Sequence, residues 1–195
     1  MATRSGERKN QIMQVLAEML EAPKGEKITT AALAERLDVS EAALYRHFAS
    51  KAQMYEGLIG FVEETVFGLI NKISAEQESG LKQTHAIASM LLSFAEKNPG
   101  MTRVLIGDAL VNEDGRLQTR INQLHDRLEA ALKQSLRLAA TQGEIDKEAG
   151  AADDPGPRAN LILAYITGRW HQYAKSGFKR LPTELWQAQA PMLLG

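Results

Sequence analysis

The stretch Ile28-Thr29-Thr30-Ala31-Ala32-Leu33-Ala34-Glu35-Arg36-Leu37-Asp38-Val39-Ser40-Glu41-Ala42-Ala43-Leu44-Tyr45-Arg46-His47-Phe48 decides the fold. It reads as two short helices around a tight turn. Thr30 is placed to cap the first, Ala31 to Leu37, by accepting from an otherwise unpaired amide. Asp38-Val39 makes the turn, and Ser40 caps the second helix, Glu41 to Phe48. Leu33, Leu37, Leu44 and Phe48 face a core, while Ala34 and Val39 supply a small residue and an apolar plug at the turn. Glu41, Ala42, Ala43, Tyr45 and Arg46 then point outward. Small residues there let a helix backbone approach base edges in a major groove, with alanine methyls against thymine methyls. The other reading is a plain three-helix packing unit that exposes a tyrosine and a histidine.

Around this motif, other groups are placed for phosphates. Tyr45, His47 and Lys51 flank the second helix, Lys51 at a helix N-terminus where amides also point outward. Thr29 and Thr30 can donate from the start of the preceding helix. Arg4, Arg8 and Lys9 would trail across the backbone or into a minor groove. Total charge does not suggest nucleic acid, because the 195 residues carry a net charge of −1. Affinity must come from where the charges sit.

Composition narrows the rest. With 44% hydrophobic residues and no cysteine, the chain can build a core but no disulfide framework or Cys-ligated metal site. The first residues are polar and basic, and no apolar run reaches the ~20 residues needed to span a bilayer. The expectation is a cytoplasmic protein with no membrane anchor. His47, His85, His125 and His171 are scattered, without ligand spacing, and there is no Gly-rich phosphate loop or nucleophile elbow. The chain therefore reads as no enzyme, with no metal and no cofactor.

Helical periodicity dominates the remainder, and alternating strand patterns are lacking. A first helix spans about Gly6 to Glu21 and is ended by Pro23 and Gly25. Ser50-Lys51-Ala52-Gln53 is a capping box that opens a long helix reaching about Ile73. A helix over about Leu81 to Lys97 is stopped by Asn98-Pro99-Gly100, and Met101 to Leu110 forms a short one. Asp114 caps a long helix through Leu138 whose stripe is Leu117, Ile121, Leu124, Leu128, Leu132 and Leu136. Thr141 to Pro157 is a loop, Arg158 to Lys175 a helix apolar almost all round, and a last helix begins near Pro182. The expected class is all-α, with a helix-turn-helix domain over 1–50 and a larger helical domain over 51–195.

The segment TTAALAERLDVSEAALYRHFASK resembles the DNA-binding signature of TetR-type regulators, whose Tyr-x-His-Phe ending stands here as Tyr45-Arg46-His47-Phe48. The resemblance implies an all-helical homodimer that binds palindromic double-stranded DNA through its N-terminal domain. EKNPGMTRVLIGDAL, GRLQTRINQLHDRLEAALKQ and SGFKRLPTELW extend the likeness to a branch of that family acting in nucleoid occlusion. That branch implies a nucleoid-associated factor that antagonises assembly of the division protein FtsZ when bound to DNA. The chain departs from it at Ala49-Ser50-Lys51, where a proline is expected before the serine, and in the Thr141–Pro157 loop. The alternative is a ligand-responsive transcriptional repressor; under the first reading no small-molecule ligand is expected.

Two further surfaces follow. On the long helix Tyr55, Ile59, Val62, Val66, Ile70 and Ile73 centre one stripe, and Phe61 lies ~120° from it. A groove between Phe61, Thr65 and Leu69 on one wall and Met90, Ser93 and Lys97 on the other would hold a short peptide. Under the resemblance that peptide is the FtsZ C-terminal tail, with Lys97 and Asn98 as polar anchors. Alternatively, Phe61 packs against the DNA domain or the last helices and Met90 is filler. The Arg158–Lys175 helix has too much apolar surface for one stripe. Its second face either meets a copy of the chain, through Leu161, Tyr165, Gly168, Trp170 and Tyr173, or makes it a central core helix of a monomer.

Overall fold

The computed structural model describes residues 4–22, 28–145 and 154–194, with backbone alone at 4 and 5. Among these residues all regular structure is helical, and no helix is long and apolar enough to cross a membrane. The chain forms two compact units, Met1–Val62 with Asn98–Ile121, and Glu63–Lys97 with Asn122–Gly195.

The first unit begins with α1, Arg4–Leu20, which buries Ile12, Leu16 and Leu20 at four-residue spacing. Pro23 and Gly25, expected to end it, lie outside the described residues. The second helix, α2, is Thr30–Arg36 and starts one residue earlier than expected. Thr29 is extended, and its hydroxyl accepts from the Ala32 amide at 3.1 Å, so Thr29 is the cap and the Thr30 side chain is released for other work. The turn holds Asp38 at φ 52, a left-handed conformation that aspartate tolerates better than most residues. It is closed by the Val39 amide on the Ala34 carbonyl at 3.0 Å.

Helix α3 covers only Glu41–Tyr45, with Ser40 accepting from Ala43 as expected. It is shorter than the sequence pattern suggests. Beyond Tyr45 the chain passes into a turn in which the His47 and Phe48 amides both reach the Leu44 carbonyl. Helix α4, Lys51–Glu76, opens on the Ser50–Gln53 box. Ser50 accepts from the Gln53 amide at 3.2 Å, while Gln53 reaches back to the Ala49 amide at 2.8 Å.

The core under the helix-turn-helix is wider than the 1–50 segment. Leu33, Ala34, Leu37, Leu44 and Phe48 pack in one cluster with Met54, Tyr55, Leu58 and Ile59 of α4. Val104 joins from α6, Pro99–Leu105, Leu110 from a 3-10 turn, Asp108–Leu110, and Leu117 and Ile121 from the start of α7, Gly115–Gln142. The short helix foreseen over Met101 to Leu110 is thus two elements, broken at Gly107 with φ 77. Arg103 of α6 donates to the Leu20 and Ala22 carbonyls at 3.2 and 2.9 Å. These end groups of α1 have no basic residue in their own last turn to serve them.

The second unit holds the rest of α4 and α7 together with α5 (Gly80–Lys97), α8 (Pro155–Lys175) and α9 (Trp186–Leu194). Leu124, Leu128, Leu132 and Leu136 are buried, as the stripe on α7 requires. They are joined by Ile87, Leu91 and Leu92 of α5 and Ile162, Ile166 and Trp170 of α8. The first residues of the expected 141–157 loop are ordered differently. Thr141 and Gln142 continue α7, and Gln142 accepts from the Gly80 amide and Glu144 from the Leu81 amide, both at 2.9 Å. The Leu81 amide, and then the Ser79 hydroxyl, hold the Glu144 carboxyl below the usual carboxylate range. Residues 146–153 of that loop lie outside the described residues, and Asp154 caps α8.

Gly100 fixes how closely α6 approaches α1: a Cβ there would stand 1.9 Å from the Ala17 carbonyl oxygen. Gly100→Ala should therefore destabilise the protein by about 1–3 kcal/mol in urea unfolding, the cost of overpacking. At an open site the same change stabilises by ~0.4–1 kcal/mol, so a midpoint that rises would refute the close approach.

Candidate nucleic-acid interface

Where the recognition segment lies, the structure keeps the expected outward set together. Glu41, Ala42, Tyr45 and Arg46 are exposed and Ala43 is half-buried, while Leu44 and Phe48 are turned into the core. Tyr45 has 45% of its surface free despite its size. Ser40, at the helix cap, is exposed as well, but its oxygen is already engaged by the Ala43 amide.

Thr30, Glu41 and Tyr45 form a chain across α2 and α3. The Thr30 hydroxyl donates to Glu41 Oε2 at 2.5 Å, and the Tyr45 hydroxyl donates to Thr30 Oγ1 at 3.4 Å. Thr30 is available for this because Thr29 serves as the cap. Helix α2 therefore holds both ends of the outward face of α3. Thr29 is exposed, although its hydroxyl oxygen accepts the cap bond.

Among the basic groups, Lys9 is exposed, with its ammonium 5.6 Å from the centre of the Phe48 ring. Arg8 is half-buried and donates to Gln11. Arg4 lies in the first turn of α1, and its side chain is outside the described residues. His47 is half-buried, with Nδ1 buried and without a hydrogen-bond partner among the described residues.

Lys51 differs from expectation. Its side chain is mostly buried, and its ammonium is paired at 2.5 Å with Glu113, itself mostly buried in the turn before α7. The same ammonium stands 5.6 Å from the Tyr55 ring. Burial, and then the Glu113 carboxylate, push the Tyr55 phenol well above the ordinary tyrosine range. The Lys51 charge is thus already matched within the unit. Nothing local in the sequence marks Glu113 as its partner, because 62 residues separate them.

The residues expected to line the peptide groove fall on α4 and α5. Phe61 and Leu69 are exposed, Phe61 by 46%, and Thr65 between them is half-buried. The buried face of α4 is carried by Leu58, Val62, Val66 and Ile70 instead. On α5, Met90 and Ser93 are half-buried and Lys97 is exposed; Asn98 follows at the break before α6.

The set expected at a dimer interface divides. Leu161, 55% exposed, and Gly168 lie on the open side of α8, with nothing within 4 Å of a Cβ built on Gly168. Tyr165 is half-buried and donates to Gln189 at 2.8 Å. Trp170 and Tyr173 do not belong with them. Trp170 is fully buried and donates from its indole to the Leu91 carbonyl at 3.2 Å, and the Tyr173 hydroxyl reaches the Glu96 carbonyl at 3.0 Å. Both face α5 within the chain, which leaves them no surface to offer a copy.

Comparison with known proteins covers both the helix-turn-helix and the rest of the chain. Residues 23–58 match bacterial regulatory proteins of the tetR family, and residues 77–195 match the tetracyclin repressor-like C-terminal domain in its SlmA-like form. The chain is 49% identical to nucleoid occlusion factor SlmA of Idiomarina loihiensis, covering 97% of this chain and 94% of that protein. It is 46% identical to the SlmA of Marinomonas sp., over 99% and 96%, and 48% identical to that of Alteromonas mediterranea, over 96% and 94%. The chain belongs to the SlmA family.

Membership makes it a DNA-binding nucleoid occlusion factor of the TetR lineage, and not an enzyme. Solved structures share the fold at low identity. FadR of Bacillus halodurans superposes with a TM-score of 0.78 at 16% identity, covering 99% of this chain and 97% of that one. AibR, solved with isovaleryl coenzyme A and operator DNA, gives 0.74 at 14%, covering 96% and 98%. The fold is therefore one that these solved regulators share.

The Lys51–Glu113 pair should act as a structural tie. A double-mutant cycle with Lys51→Met and Glu113→Gln, read by urea unfolding, should give a coupling of about 1.5–3 kcal/mol, as for hydrogen bonds to charged groups. A coupling near zero would return Lys51 to the role of a free cation.

Proposed function

We propose that a homodimer of this chain inserts its two Glu41–Tyr45 helices into successive major grooves of palindromic DNA, and that the DNA-bound dimer opposes FtsZ-ring assembly over the nucleoid. The near-full-length identity to SlmA proteins carries this reading. It is supported by a recognition face whose apolar side is buried and whose outward residues are exposed, Ala43 half so. The DNA-contacting domain is residues 1–50, and 51–195 serve dimerisation and FtsZ. The protein works in the cytoplasm, associated with the nucleoid.

Roles follow from the chemistry of each group. Ala42 and Ala43 permit close approach to base edges and contact thymine methyls. Arg46, Lys9, Arg8 and Arg4, with Thr29 and His47, meet phosphates and set the register of the protein on the duplex. Lys51 contributes by holding Glu113 and the start of α4, and it reaches phosphate only by sharing its charge. The open side of α8, with Leu161 and Gly168 at its centre and Tyr165 at its edge, packs against the same helix of a second copy. Gly168 lets the two backbones come close. The FtsZ C-terminal tail takes the face of Phe61, Thr65 and Leu69, with Met90, Ser93, Lys97 and Asn98 from α5 and its end. Tail binding is coupled to DNA because α4 begins beside the recognition segment and also carries Phe61, Thr65 and Leu69.

Two recognition helices in one duplex stand about 34 Å apart, one helical turn. The protein should sediment as a dimer and bind a palindrome with log K falling linearly against log salt, by about 0.9 per phosphate neutralised. Arg46→Ala should weaken binding to all sequences alike, whereas enlarging Ala42 should change preference between sequences. A monomer, or one affinity for every duplex, would overturn the reading.

For the division role the measurement is the affinity of an FtsZ C-terminal peptide for the dimer with and without its palindrome. Phe61→Ala and Lys97→Glu should each weaken peptide binding by about 10-fold, the loss of one well-placed contact of ~1.4 kcal/mol. Unchanged binding in both variants would remove this face as the site, and equal affinity with and without DNA would remove the coupling.

A further inference from the structure

Glu41 is a carboxylate placed where the protein should meet the polyanion it binds, and that placement calls for a specific partner. It stands at the first helical position of α3, exposed, on the face that carries Ala42 and Tyr45. Unlike an ordinary first-turn acid it does not hang free in solvent, because the Thr30 hydroxyl holds Oε2 and Tyr45 holds Thr30 in turn. The hydroxyl that does this is spare only because the neighbouring Thr29 has taken the capping bond. The carboxylate is thereby aimed, with Oε1 left to accept from outside the protein.

A fixed carboxylate is repelled by phosphates, so its partner in a major groove must be a base-edge donor. There are two: the N4 amino group of cytosine and the N6 amino group of adenine. Adenine presents its N7 lone pair directly beside the amino group, which faces a carboxylate with a second acceptor. Cytosine presents the amino group with no acceptor on that side. We infer that Glu41 is a specificity-determining residue that accepts from the N4 amino group of a cytosine in each half-site, and that Thr30 and Tyr45 are the positioning residues that hold its carboxylate for this contact.

This inference rests on the DNA-binding reading above, and its test separates the two. Wild type and variants select duplexes from a randomised 20-base-pair library, and the enriched sequences are compared position by position. Wild type should select a palindrome with a cytosine at one position of each half-site. Glu41→Ala should lose preference at that position and keep it elsewhere, and Glu41→Gln should move it toward adenine, since an amide can pair with both N6 and N7.

In the selected duplex, replacing that cytosine by pyrimidin-2-one, which lacks the amino group, should cost wild type about 10-fold or more in affinity and Glu41→Ala nothing. Thr30→Val should flatten the preference while Thr30→Ser restores it. A loss of affinity equal on all sequences would instead mark Thr30 as a phosphate contact only. An unchanged consensus in Glu41→Ala, or equal binding of the pyrimidin-2-one duplex by wild type, would overturn the inference while leaving specific DNA binding intact. A wild type that enriches no sequence would overturn the DNA reading and this inference with it.

Discussion

A five-residue helix cannot hold its own shape in water. Its nucleus fixes several residues for very few hydrogen bonds, and isolated helices below about 12–15 residues are marginal. The helix proposed to meet DNA, Glu41–Tyr45, is of that kind, so its geometry must be imposed from outside. Ser40 closes its first turn, Leu44 and the following Phe48 plug it into the core, and Thr30 grips its first and last residues through Glu41 and Tyr45. A helix held at its cap, its buried face and its outward face is pre-organised, and pre-organisation cuts the ordering cost of any binding it takes part in.

That dependence explains why the compact unit beneath it extends so far along the chain. A segment of about 50 residues buries too little apolar surface to be comfortably stable alone. The helix-turn-helix draws on Met54, Tyr55, Leu58 and Ile59, and on Val104, Leu110, Leu117 and Ile121 from more than 50 residues away. Polar ties follow the same route. Arg103 serves the open carbonyls at the end of α1, and Glu113 holds Lys51 at the start of α4. Residues distant in sequence thus set the position of the helix-turn-helix.

Much of this was legible in the sequence because it rests on local chemistry. Ser40 as a cap, the Ser50–Gln53 box, the leucine stripe of α7 and the outward set of α3 each follow from spacing within one or two turns. What escaped is of two kinds. Boundaries slipped by a residue where two like groups competed, as with Thr29 and Thr30, since a cap depends on backbone angles that no residue name carries. Partners distant in sequence escaped altogether: Glu113 for Lys51, and Gln142 and Glu144 for the amides of α5. The consequence is largest for Lys51, whose residue type and place suggested a phosphate ligand until its charge proved to be matched.

Trp170 and Tyr173 show a related error on α8. A helix apolar almost all round must have a second apolar contact, and a copy of the chain was one way to supply it. The structure supplies it from within, by α5, whose carbonyls at Leu91 and Glu96 receive the indole and phenol donors. A buried tryptophan or tyrosine needs such an acceptor, and an interior helix offers one more surely than the surface of a second subunit. Once the large aromatics are spoken for, the open side of α8 is left with Leu161, Ala164 and Gly168, one sizeable apolar side chain among small residues. Small residues at a helix surface limit what side chains can contribute and favour close approach of backbones instead. The surface proposed for pairing is therefore narrower and flatter than the sequence implied, and its strength depends more on fit between two helices than on the burial of any single large residue.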